Sequence, residues 1–387
     1  MEDVAVVGGS AAGFFTAYLL ARGGRRVQIF EQADSLDSAP RTLIVTSRMA
    51  DVLAGLGDGA VVNRIHRFEL CSNGRAVTVA LRRPDLVVER STLIRGLAQH
   101  AEAAGAEIVF GRQLVRVEPN GHGLTFDVEP GGRGLTEQRW TRTLVGADGA
   151  FSTVARAAGW PQQPTVPLLQ AVVRLPADLR PDTTRVWFNP SDTPYFYWLI
   201  PESPTRGVLG LIGEEGRETQ RCLERFLERH RLEPIEFQGA RIPAYARWVP
   251  NHRRVGHGDV YLVGDAAAQV KATTVGGIVT GFRGALGVAE AVLNGGASRE
   301  LRALRWEMSL HLLIRRALHY FTQEDYTRLF DVLNRSTQRL LSVSSRDEVG
   351  KILWRLCLRQ PRFLLLGLRA FLMSNFARGR AGRELGP

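Results

Sequence analysis

Lysine is nearly absent from this sequence. Lys271 and Lys351 are the only two in 387 residues, and every other basic side chain is histidine or arginine. A chemistry that depends on a lysine in the N-terminal half of the chain therefore has no residue to use. Cysteine is also scarce. Cys71, Cys222 and Cys357 lie far apart, show no metal-ligand spacing and cannot all pair, which argues against a disulfide framework and for a reducing compartment. No charge-free apolar stretch has membrane-spanning length; the best candidate, residues 363–373, is short and carries Arg369. The opening MEDVAVVGGS has neither a basic leader nor a small-residue cleavage site, so no secretory signal is expected. Internal repeats and low-complexity segments are missing too. These absences predict a cytoplasmic protein.

With 44% hydrophobic residues, the chain can bury a core sized for two domains or slightly more. Its formal net charge is +11, and most of that sits beyond Arg299, where basic residues outnumber acidic ones. Such a stretch reads either as a surface for an anionic membrane or as solvated helix faces. We expect no nucleic-acid partner.

Residues 4–7 form a short apolar run ending in glycines, 11–21 are rich in alanine and leucine, and 27–30 form a second apolar run closed by Glu31. That order predicts strand, tight turn, helix and strand, a βαβ unit of about thirty residues. Asn73-Gly74 between runs 69–72 and 75–81 predicts a hairpin, because the pair tolerates positive φ at both positions. Residues 92–104 read as a helix with Ser91 as N-cap and Gly105 just past its end. Runs 114–118 and 124–128 predict a second antiparallel pair, and Leu144-Val145 a brief buried strand. From 161 to 250 prolines are frequent and strand-like runs dominate, at 168–175, 185–189, 195–200 and 207–212. That texture predicts an inserted antiparallel sheet. Residues 260–263 return to the buried parallel pattern and 281–293 read as helix. Beyond Ser298 nearly everything is helical, with Leu301, Leu304, Met308 and Leu312 at helical spacing.

The first turn, Gly8-Gly9-Ser10-Ala11-Ala12-Gly13, has the form G-x-S-x-x-G between strand and helix. Gly8 permits the tight turn, the small Ser10 lets backbone approach a pyrophosphate, and Gly13 lets the helix sit close to the sheet. The helix N-terminus offers free N–H groups to phosphates. Glu31 ends the second strand, where a carboxylate accepts from ribose hydroxyls and disfavours a 2′-phosphate; Gln32 follows it. Two later segments choose among nucleotides. Leu144-Val145-Gly146-Ala147-Asp148-Gly149, followed by Ser152, resembles the Asp-Gly motif of flavoprotein hydroxylases and reductases. Val263-Gly264-Asp265-Ala266-Ala267 resembles their later Gly-Asp motif, whose aspartate takes a ribityl hydroxyl of FAD. A single glycine–aspartate pair is mostly loop chemistry, but three such elements in this order, each after an apolar strand, predict FAD. Arg90, just before the predicted helix, matches a family position whose side chain reaches the flavin.

The next segment narrows the resemblance. Gln269-Val270-Lys271-Ala272-Thr273-Thr274-Val275-Gly276-Gly277-Ile278 is similar to the Q-V-K-P-T-T-G-G-G-I of the geranylgeranyl reductase family, departing at Ala272 and Val275. The resemblance implies that Gly276, Gly277 and Ile278 approach the pyrimidine edge of the flavin. Phe196-Tyr197-Trp198-Leu199-Ile200-Pro201 resembles the reductases' Y-x-W-x-F-P. As a strand it would put Phe196, Trp198 and Ile200 on one face, roofing an apolar pocket or packing on a core. The same hexad resembles flavin-dependent halogenases, whose essential lysine lies in the N-terminal third; here none precedes Lys271. Many prenyl reductases carry a cysteine-glycine segment after the second strand. The equivalent residues 39–47 contain no cysteine, and Arg41 before a strand looks more like aromatic-ring hydroxylases.

The expected architecture is α/β. A Rossmann-type FAD-binding domain (1–160 and 251–297) carries an inserted antiparallel substrate sheet (161–250, joined by the hairpin near 66–82) and a helical C-terminal region (298–387). The expected activity is hydride transfer from reduced FAD to C=C bonds of an isoprenoid or similarly apolar substrate. A monooxygenase of an apolar or aromatic metabolite is the alternative, and an electron-transfer flavoprotein the third reading. No catalytic residue, proton donor or metal site is identifiable. The absence of a second Gly-rich turn leaves NADPH, NADH or a ferredoxin-like protein as reductant. Trp354, residues 363–366, Phe371 and Phe376 in the basic C-terminal region suit a lipidic substrate or peripheral membrane contact.

Overall fold

A computed structural model describes residues 2–37, 40–131, 136–343 and 347. The expectations placed on Trp354, Cys357, residues 363–366, Phe371 and Phe376 lie outside these. The chain opens with β1 (Glu2–Val7), α1 (Ala11–Arg22), β2 (Val27–Phe30), β3 (Thr42–Val45) and α2 (Arg48–Leu53). The hairpin β4 (Val61–Ser72) and β5 (Arg75–Glu89) leads into α3 (Arg90–Ala103) and β6 (Glu107–Val109). Three antiparallel strands follow, β7 (Arg112–Asn120), β8 (Gly123–Pro130) and β9 (Glu137–Gly146), then α4 (Thr153–Ala157). Next come β10 (Thr165–Arg174), β11 (Thr183–Trp187), β12 (Tyr197–Pro201), β13 (Arg206–Ile212), α5 (Gly216–Arg229) and β14 (Pro234–Pro243). The chain continues with β15 (His252–Val255), β16 (Gly258–Leu262), α6 (Ile278–Asn294), α7 (Arg299–Leu318), α8 (Gln323–Val332) and α9 (Arg335–Val343).

Two sheets result. In the first, the order β15-β16-β9-β1-β2-β6 is parallel from β16 to β6, with the β7–β8 hairpin joined through β8 to β9. Val4 to Val7 are all buried, as a strand covered on both faces requires. One face packs on α1, α3 and α6 through Phe14, Leu20, Leu97 and Phe282, and the other reaches Leu304 and Met308 of α7. The second sheet runs β14-β10-β13-β12-β11-β4-β5-β3, antiparallel except where β11 lies parallel to β4. Along β12 the side chains alternate. Tyr197 and Leu199 pack on Cys222 and Phe226 of α5, while Trp198 and Ile200 face the opposite way.

The α/β architecture with two sheets and C-terminal helices agrees with the expectation, but three local readings need correction. Helix α3 begins at Arg90 and its N-cap is Glu89, not Ser91; the Glu89 carboxylate reaches round to accept from the N–H groups of Ser91 and Thr92. Strands β4 and β5 extend well past residues 69–81, because their far ends, residues 61–65 and 85–88, pair with each other and the end of β5 also pairs with β3. Finally, α5 interrupts what reads as an all-strand region. Its charged exterior hides an apolar stripe of Cys222, Leu223, Phe226 and Leu227.

Candidate functional site

A cavity of about 1060 Å³ runs from the β1–α1 turn, past the ends of β2 and β9, to the underside of the second sheet. Its size lies at the upper limit of ligand pockets, about 300–1,000 Å³. At one end Gly8 has φ +104, and a Cβ there would meet the Ala147 carbonyl oxygen at 2.5 Å. Gly13 is equally confined, with a hypothetical Cβ 2.2 Å from the Gly8 oxygen. These two positions bring α1 hard against the sheet and leave its N-terminus facing the cavity. Ser10 is the N-cap of α1: its Oγ accepts from Gly13 N at 3.1 Å and donates to Ala147 O at 3.0 Å. Glu31 is held by Gly9 N at 2.5 Å and Ala33 N at 2.8 Å. Gln32, Ala11 and Ala12 line the same end.

Midway, two carboxylates and two arginines converge. Asp148 accepts from Ser152 Oγ at 2.5 Å and from Thr153 N and Val154 N, so it ties the β9 turn to α4. Burial raises its pKa against those bonds. Gly149 beside it has φ +81. Asp265, after Gly264 (φ +62), is enclosed by protein but opens to the cavity; burial pushes its pKa up while Arg90 and Arg41 pull it down. Burial lowers the Arg41 guanidinium pKa, as does the neighbouring Arg90, and Arg41 Nε is buried without a hydrogen-bond partner. The two arginines are joined directly, Arg90 N donating to Arg41 O at 2.9 Å. The Glu89 carboxylate also accepts from Arg41 N at 3.2 Å, tying Arg41 to the start of α3, where Arg90 is the first residue.

The far end is built on the turn between Lys271 and Gly276. Lys271 N donates to Gly276 O at 3.2 Å and Val275 N to Lys271 O at 2.8 Å. Val275 adopts φ +51, unfavourable for a β-branched residue, and its buried side chain joins the apolar cluster of Trp198, Ile200 and Phe68. Gly277 is the N-cap of α6, which begins at Ile278 and points its N-terminus at the cavity. Above this turn, Phe196 and Trp198 meet edge-on at 6.1 Å between ring centroids, with Ile200 beside them. The indole of Trp198 lies across Gly210 of β13, where a Cβ would come within 2.5 Å of it.

Of the FAD contacts and pocket residues expected from sequence, all but Gly13 line this one cavity; Gly13 sits behind the turn. Sequence reasoning did not single out Glu89, the role of Lys271, or walls such as Phe68, Leu168 and Val186. For the walls the only signal was strand alternation, since they come from β4, β10 and β11. Neither Cys71 nor Cys222 lines the cavity, and burial pushes the Cys71 thiol up to about 11.

The donor set suits FAD. A glycine cradle and helix N-terminus would face the phosphates and Glu31 would take the adenosine end, while an arginine with an orphaned Nε and a cavity-facing aspartate occupy the middle. Fold and site thus define a dinucleotide-binding flavoprotein. Residues 1–303 match the FAD binding domain family, and the chain belongs to it. It is an FAD-dependent oxidoreductase, and the relatives it resembles include reductases of geranylgeranyl compounds. Digeranylgeranylglycerophospholipid reductase 2 of Methanopyrus kandleri is 27% identical over 94% of this chain and 97% of its own length. The geranylgeranyl diphosphate reductase of Rhodobacter capsulatus is 27% identical over 78% of each chain. Among solved structures, a geranylgeranyl bacteriochlorophyll reductase-like protein from Thermoplasma acidophilum superposes with TM-score 0.77 at 18% identity, covering 93% of this chain and 96% of that one. The p-nitrophenol 4-monooxygenase of Pseudomonas putida shares the fold at TM-score 0.65 and 17% identity, over 95% and 98%.

Proposed function

We propose that this protein reduces C=C bonds of an isoprenoid or similarly apolar substrate. The observation that carries the reading is the apolar roof of Phe196, Trp198, Ile200 and Val275 over the glycine turn at the far end of the FAD cavity. FAD held there would supply a hydride to one alkene carbon, the other taking a proton. The chain's own part is to orient the alkene against this wall and exclude water from it. Each buried methylene adds about 0.8 kcal/mol, so a long apolar chain binds with few polar contacts. The names of the relatives, reductases of geranylgeranyl compounds, point the same way. Electrons would come from NADPH, NADH or a ferredoxin-like protein docking transiently. The arginine-rich face of α7, with Trp306 exposed, is a candidate contact for a membrane holding the substrate; no helix among the described residues is long and apolar enough to cross one.

A second reading, oxygen transfer to an apolar or aromatic metabolite, is favoured by one observation: among the described residues no cysteine lines the cavity to serve as acid, whereas Arg41 lines it. Anaerobic turnover of a prenylated substrate by the reduced protein separates the two. The reductase reading expects a product two hydrogens heavier; a requirement for O2 with labelled oxygen in the product would reject it. Trp198→Ala should weaken apolar-substrate binding by about tenfold or more, given roughly 1.5–3 kcal/mol per fully buried large side chain, and leave FAD content unchanged. Equal loss of both would return Trp198 to a purely structural role.

A further inference from the structure

In a chain whose cations are nearly all arginine, one of the two lysines is buried at the wall of this cavity. Lys271 retains only 10% of its side-chain exposure, and its Nζ lies 2.6 Å from Asp347, whose side chain is 1% exposed. Asp347 also receives a hydrogen bond from Thr46, which lines the cavity at the end of β3. A third buried polar side chain, His311 of α7, donates to or accepts from Thr273 at 2.7 Å and leaves its Nε2 without a partner. Burial and the nearby Lys271 cation drive the His311 pKa down to about 3, so the imidazole is neutral and adds no charge.

A buried ion pair is a poor device for stability, because withdrawing both charges from water offsets most of their attraction. Its position suggests another use. The turn that begins at Lys271 closes on Gly276, and the Lys271 ammonium stands 3.9 Å from where a Gly276 Cβ would project. With the adenosine held at Glu31 and the phosphates at the N-terminus of α1, the far end of the cavity is left for the redox ring. The N-terminus of α6 and Lys271 flank that end. Two electrons and one proton taken up by an oxidised flavin leave one net negative charge on it.

We propose that Lys271 is a positioning residue that sets the reduction potential of the bound FAD, its cation favouring the reduced state and the Asp347 carboxylate tempering it. This rests on the FAD assignment but holds for hydride and oxygen transfer alike. It makes Asp347, distant in sequence from every nucleotide motif, part of the flavin site.

The test uses the full chain loaded with FAD, with dithionite as reductant against indicator dyes and sulfite as an independent probe of positive charge beside the flavin. Lys271→Met should shift the reduction equilibrium about tenfold toward oxidised flavin, about 30 mV for a two-electron couple, and weaken sulfite binding. Asp347→Asn should shift both in the opposite direction. Lys271→Arg should stay near the parent, and the double variant Lys271→Met/Asp347→Asn should return toward it. Single variants that move together, or do not move at full FAD occupancy, would overturn the proposal. If Asp347→Asn does not fold, the contrast of Lys271→Met with Lys271→Arg decides alone. A parent protein that cannot be loaded with FAD refutes the FAD assignment instead, a distinct result.

Discussion

Glu89 offers the sharpest quantitative test, because one carboxylate joins a helix start to both arginines of the flavin site. Its oxygens accept from the N–H and hydroxyl of Ser91, the N–H and hydroxyl of Thr92, and the N–H of Arg41. Burial alone would raise its pKa; the hydrogen bonds win and hold it at about 2, against an ordinary 4.5. A shift of that size corresponds to about 3 kcal/mol. The carboxylate is only partly withdrawn from water, so about 2 kcal/mol is the expected share. The folded pKa is depressed, so this stability is fully present above the unfolded value and is lost as pH falls toward the folded one. Glu89→Ala should therefore cost about 2 kcal/mol at neutral pH, somewhat more than an average N-cap. Glu89→Gln, with one acceptor oxygen and no charge, should cost about half as much. Urea unfolding of the parent and Glu89→Gln across acid pH gives the decisive curve. Their difference should more than halve between about pH 5 and about pH 3. A difference that stays constant over that range would refute the reasoning, and FAD affinity should fall in both variants because Arg41 loses its anchor to the start of α3, where Arg90 sits.

Two further outcomes follow from backbone geometry. Gly8→Ala sets a methyl within 2.5 Å of the Ala147 carbonyl at a φ of +104. Strain of about 1–3 kcal/mol plus the clash should abolish FAD retention, and full flavin absorbance with an unchanged melting point would contradict it. At Val275, glycine should be more stable than alanine, the reverse of the usual order. Relief of a left-handed conformation is worth about 1–2 kcal/mol, against about 0.4–1 kcal/mol of added unfolded-state entropy; an alanine variant equal to or better than glycine in urea unfolding would show that φ +51 is unstrained.

The parts of the site legible in sequence are those in which a local backbone shape forces residue choice. Gly8, Gly149 and Gly264 all have positive φ, and each stands beside the polar group it presents. That coupling leaves a readable motif. Glu89 is illegible for the opposite reason. In Glu-Arg-Ser-Thr, capping preference favours Ser91, and what overrides it is an Arg41 N–H 48 residues away. The Lys271–Asp347 contact spans 76 residues, and no short-range pattern reports a pairing of that kind. Helix α5 went unread because strand-forming neighbours surround it and its apolar stripe is narrow.

The same distinction explains why the cofactor is easier to name than the substrate. The nucleotide half of the cavity is made by three turns, each contributed by consecutive residues. The half proposed for the substrate is assembled from alternate residues of β4, β10, β11 and β12, single side chains drawn from strands far apart in sequence. Substitutions at the β4, β10 and β11 positions change pocket shape without disturbing any motif. Val275 is a place where the two halves meet. It stands within the glycine turn where the reductase pattern has glycine, yet its side chain packs into the aromatic wall. A residue that accepts backbone strain to place an isopropyl group at this end of the cavity would narrow the space left between the roof and a bound flavin. The structural difference that decides what this enzyme accepts should therefore be sought first at Val275 and the Phe196–Trp198 pair in the same apolar cluster, rather than in the nucleotide turns.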